Sequence, residues 1–67
     1  MDRKPSKFAI GDQVEIVGRL RFVGRRGAVI AIDKSRHSHT LDKYTVRFDG
    51  SDLTVVFWDF ELKISED

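Results

Sequence analysis

Four arginines fall within eight residues: Arg19, Arg21, Arg25 and Arg26. Each guanidinium is planar, permanently charged and able to donate paired hydrogen bonds, which suits the oxygens of a phosphate or a carboxylate. Phe22 stands among them, with a flat face that can stack on a base or fill a partner's pocket. The same ring can instead pack beneath the loop and leave the arginines solvated. Gly24 and Gly27 bracket Arg25 and Arg26, and glycine there lets the backbone take a positive φ or approach another strand closely. Arg36 and Arg47 extend the basic character further along the chain.

Other chemistry is sparse. His37 and His39 are two apart in a polar stretch and lack the further ligands that a metal site requires, so no metal is expected. Ser35, Ser38, His37, His39 and Asp42 contain the residue types of a nucleophilic triad, but one short polar segment cannot hold them in register. No phosphate-cradling or cofactor fingerprint occurs. A chain of 67 residues also has little room for a substrate pocket of ordinary size. The expectation is a non-catalytic protein without cofactors.

Charge is distributed unevenly. Net charge is +1, yet residues 17–47 carry +6 and residues 48–67 carry −5. Such a split favours a positive face for an anionic partner, unless the two halves pair internally. There is no cysteine to form a disulfide or a thiolate zinc site. No apolar run approaches the roughly 18 residues of a membrane span, and the first residues, MDRKPSK, lack the apolar centre of a signal peptide. A cytoplasmic protein that does not insert into membranes is expected. At this size folding removes only about 60% of the unfolded chain's surface from water, so the core must be compact.

The elements that must position the arginines read as short strands. Residues 1–7 form a polar tail, and Phe8 and Ile10 can fold back over one end of the core. Gly11-Asp12 marks a turn, and residues 13–17 form a strand with Val14 and Ile16 inward. Residues 18–24 make the basic loop. The β-branched run at 27–33 is apolar on both faces, so it is either covered on each side or bulged; Val29 and Ile32, three apart, can share a face only if one residue is inserted as a bulge. Residues 34–43 read as an exposed loop. Tyr44, Val46 and Phe48 alternate with Thr45 and Arg47, and Asp49-Gly50-Ser51-Asp52 turns the chain into a returning strand at 53–58. One helical turn at 59–61 and a short strand at 62–64 complete an all-β, five-stranded, small SH3-like barrel with an acidic tail at 65–67. The returning strand is apolar on both faces. If Val55 and Phe57 point inward, Val56 and Trp58 point outward beside Phe60, an aromatic patch that suits an interface or a self-dimer unless the N-terminal tail covers it.

Two segments resemble known families. Gly11-Asp12-x-Val14-x-Ile16, followed by Gly24-x-x-Gly27-x-Val29-x-x-Ile32-Asp33, is similar to the KOW motif of ribosomal proteins and NusG-type transcription factors. Tyr44-x-Val46-Arg47-Phe48-Asp49, followed by Phe57-x-x-x-Glu61-Leu62, resembles photosystem I subunit IV and related SH3-like accessory subunits of ferredoxin-dependent complexes. Both resemblances imply one small SH3-like barrel over residues 8–64. They imply a binding module whose partner is RNA, a protein or a larger complex, according to its loops. The leading expectation is nucleic-acid contact, RNA above all, through Arg19, Arg21, Arg25, Arg26, Arg36 and Arg47, with Phe22 or Trp58 stacking. The alternative is an accessory subunit of an electron-transfer assembly that meets an acidic protein. A third possibility is an oligomer seated through Val56, Trp58 and Phe60.

Overall fold

The computed structural model describes residues 7–34 and 42–65. Arg36, His37 and His39 lie outside the described residues, as do Ser35 and Ser38.

Period-two alternation builds the core. In β3 (Lys43–Phe48), Tyr44, Val46 and Phe48 are buried while Lys43 and Arg47 face outward. β1 (Gln13–Ile16) contributes Val14 and Ile16, and β4 (Thr54–Trp58) contributes Phe57 with Val55 partly covered. Val29 of β2 (Arg26–Asp33) and Leu62 of β5 (Leu62–Ile64) complete the layer from the sheet. Each such side chain contributes about 1.5–3 kcal/mol by leaving water. Phe8 closes the core from the N-terminal side, its ring edge-on to Tyr44 at 5.2 Å and 82°. The Tyr44 hydroxyl accepts hydrogen bonds from the Lys7 and Phe8 backbone N–H groups at 3.0 and 3.4 Å. Lys7 is therefore anchored rather than part of a tail. Ile10 does not share the covering role expected of it: it is 66% exposed.

All five strands are antiparallel, in the order β4-β3-β2-β1-β5. Of the two alternatives for this strand, the bulge that lets Val29 and Ile32 share a face is present. Val29 pairs with Val46, but Ala31 pairs with the next residue back, Thr45, which leaves Ile30 as the inserted residue. Ile32 then returns to the inner face opposite Tyr44 and packs against the core. The chain is thus all-β; its helical content among the described residues is two short 3₁₀ turns, Leu20–Phe22 and Asp59–Glu61. No helix among these residues is long and apolar enough to cross a membrane.

Strands β4 and β5 lie at opposite edges of the ladder, yet only the three residues Asp59–Glu61 connect them. The sheet must therefore curl until its two edges come close. No ladder joins β4 to β5 among the described residues. Side chains bridge that seam instead, and they come from the basic loop.

Candidate functional site

The basic loop is a folded element rather than an open one. The Phe22 N–H donates to the Arg19 carbonyl, and the Arg25 N–H to the Phe22 carbonyl, both at 2.9 Å. A three-residue hydrogen-bonded step places residues i and i+3 above one another, so Arg19, Phe22 and Arg25 share one side. Gly24, at φ +90°, then turns the chain back toward β2, with its N–H on the Ile16 carbonyl at 3.0 Å. A side chain at Gly24 would strain this conformation.

The shared side faces the core. The Phe22 ring lies 5.2 Å from Phe48 and 6.0 Å, edge-on, from Phe57. The Arg25 guanidinium covers Phe48 at 4.6 Å from the ring centroid, and Arg19 covers Phe57 at 4.8 Å. Two of the three clustered rings, Phe48 and Phe57, are thus each capped by a flat cation, since a ring face attracts positive charge. Phe22, considered above as a stacking residue, is instead packed beneath the loop, because the 3₁₀ step turns it inward.

Arg19 also leaves the ligand-facing set. Its Nε and Nη2 donate to the two carboxylate oxygens of Glu61 at 3.0 and 2.8 Å, and its Nη1 donates to the Val56 carbonyl at 3.3 Å. Every nitrogen of the guanidinium is engaged. Glu61 is buried at the end of the second 3₁₀ turn, where its Oε1 also accepts the Trp58 backbone N–H at 2.9 Å. Gly18 permits this approach: a Cβ there would lie 2.8 Å from the Glu61 Cα. The pair thus ties the loop after β1 to the exposed edge of β4. It also occupies backbone groups of Val56 and Trp58 that an edge strand would otherwise offer to another chain.

The other arginines stay at the surface. Arg21 points away from the core with Leu20, which is 95% exposed. Arg25 is exposed at its N–H edge while its face rests on Phe48. Arg26 lies 4.0 Å from Glu15 in a loose ion pair. Arg47 sits outside β3, opposite Ala28 and Thr54, beside a shallow groove lined by the turn residues 49–52. Since Ala28 pairs with Arg47, Arg26, two residues earlier on the same outward face, is a diagonal neighbour of Arg47. Among the described residues the side chains of Arg21, Arg25 and Arg47 form no hydrogen bond or ion pair.

Along β4 the outward side chains are Thr54, Val56 and Trp58, with Phe60 exposed in the following turn. Trp58 is 37% exposed, and the Lys43 ammonium lies 5.1 Å from its ring. Phe8 is buried against Tyr44, so it does not cover this patch. No group of three or more potential metal ligands comes together among the described residues.

Glu61 enters the sequence reading only within a resemblance, and its role as the partner of Arg19 was missed there. Its signal was a carboxylate between Phe60 and Leu62, three residues after Trp58, the spacing at which a side chain reaches back to cap a helical turn. No protein-family model, curated protein or solved structure matches this chain.

Proposed function

We propose that this chain is a non-catalytic binding module that contacts nucleic acid, and RNA above all, through Arg21, Arg25, Arg26 and Arg47. The observation that carries this reading is the division of labour in the loop. Arg19 and Phe22 are used to hold it, which leaves Arg21, Arg25 and Arg47 exposed at the surface. Arg25, already held over Phe48, loses little conformational freedom on meeting phosphate, and all of these cations contribute mainly sequence-independent affinity. The similarity to KOW-type segments supports RNA over other polyanions.

The test is titration of a labelled RNA, followed by anisotropy, with the wild type and with the double variant Arg25→Glu, Arg47→Glu. Loss of binding is the expected result, with the melting temperature lowered only by the few degrees that the lost contact of Arg25 over Phe48 accounts for. Equal affinity of the two proteins would refute the assignment.

A second reading, docking to an acidic protein within a larger assembly, draws on a different observation. Leu20, next to Arg21 in the loop, is 95% exposed, and Phe60 is 60% exposed; both are apolar groups open to a partner. Cross-linking in native lysate separates the two: recovered RNA supports the first, and a stoichiometric acidic protein supports the second.

A further inference from the structure

Resting on the nucleic-acid reading, we infer that the ligand is single-stranded and that one of its bases stacks on Trp58, at the far end of the outer β3–β4 face from Arg47. The register defines this face. Lys43 is opposite Trp58, Thr45 opposite Val56, and Arg47 opposite Thr54, all with side chains on the outer surface. From the Trp58 row to the Arg47 row is four strand residues, about 13 Å. One end of the face thus offers an aromatic platform and the other a guanidinium beside Thr54, with Thr45 and Val56 between them.

Trp58 is held for this role. Its N–H is fixed by Glu61, whose other oxygen bonds come from Arg19, so the backbone beneath the indole is anchored through both partners. The ring is partly exposed, with the end of the long Lys43 side chain above it. A base that displaces this ammonium from the ring leaves it beside the base's own phosphate, where it retains an opposite charge. Stacking requires a base whose face is open. In a duplex both faces are covered by neighbouring pairs, so the platform selects unpaired strands. Every base has such a face, and so little sequence preference follows.

The single tryptophan of the chain makes the test direct, because its fluorescence reports this position alone. Two probes are titrated: a ten-nucleotide oligouridylate and an RNA duplex of equal length, each followed by the anisotropy of a terminal label and by tryptophan emission. The expected result is saturable quenching with the single strand and none with the duplex. Trp58→Ala should weaken single-strand binding about ten-fold or more, and Trp58→Phe should restore most of it. Single-strand binding without quenching, and indifferent to Trp58→Ala, overturns the stacking inference but leaves the arginine assignment standing. Failure of both probes to bind overturns the two together. The quenching measurement uses the unaltered protein and so does not depend on a variant's folding.

Discussion

Arg19 and Glu61, separated by 42 residues, meet through two hydrogen bonds of 3.0 and 2.8 Å across the seam of the curled sheet. The carboxylate side chain is only 8% exposed, whereas the guanidinium is 35% exposed. This asymmetry decides what each loss would cost. Removing the arginine leaves a buried carboxylate without its cation. Removing the carboxylate leaves a cation that can reach water.

Arg19→Met should therefore destabilise the fold by about 2–4 kcal/mol, somewhat below the usual penalty for breaking a fully buried pair because water reaches one side. Glu61→Gln keeps the shape and the acceptor for Trp58 and should cost less, about 1–2 kcal/mol. Urea denaturation with constant m-values measures both. If Arg19→Met shifted the midpoint no more than a surface substitution does, the pair would hold nothing together.

Tyr44→Phe tests the anchoring of the N-terminal segment. The ring-to-ring contact with Phe8 survives, but the Lys7 and Phe8 N–H groups lose their acceptor. A loss of about 1–2 kcal/mol is expected, together with faster amide exchange at Phe8. Unchanged protection at Phe8 would show that packing alone holds the segment.

Two glycines separate two reasons for needing glycine. At Gly24 the φ of +90° is the difficulty, since a methyl group added there would have nothing within 4 Å of it. Gly24→Ala should cost about 1–2 kcal/mol from backbone strain alone. At Gly27 a Cβ would collide with the Arg47 carbonyl and come within 2.8 Å of Val46. Gly27→Ala must force β2 away from β3, so it should be clearly the worse of the two in thermal melts. Equal melting temperatures would mean that the strands can part at little cost.

Much of this architecture was legible because alternation is a local signal. Val14 and Ile16, then Tyr44, Val46 and Phe48, could go inward only as strands, and Val29 with Ile32 marked a bulge as one of two options without showing that Ile30 is the inserted residue. The site was legible only in part. Charge density marked the arginines, but the sequence does not show which of them meets a carboxylate 42 residues away. The three-residue spacing of Arg19, Phe22 and Arg25 carries that information only once the loop is known to be a 3₁₀ turn. Phe8 and Ile10 look alike as apolar residues near a turn. The Tyr44 hydroxyl is the distant group that fixes the backbone at Phe8, and Ile10 has no equivalent anchor.

The loop's division of labour leads to a prediction in which stability and binding move separately. If phosphates are met by Arg25 and not by Arg19, Arg25→Gln should reduce the slope of log affinity against log salt by about one. Its cost in stability should be small, about 0.5–1 kcal/mol for the lost contact over Phe48. Arg19→Gln should do the reverse, lowering the denaturation midpoint while leaving the salt slope of the folded protein as it was. Both slopes come from the same RNA titrated between low and moderate salt, well below the temperature at which the weaker variant melts. A slope that falls equally in both variants would place Arg19 among the phosphate ligands, and its bonds to Glu61 would then have to open when RNA arrives.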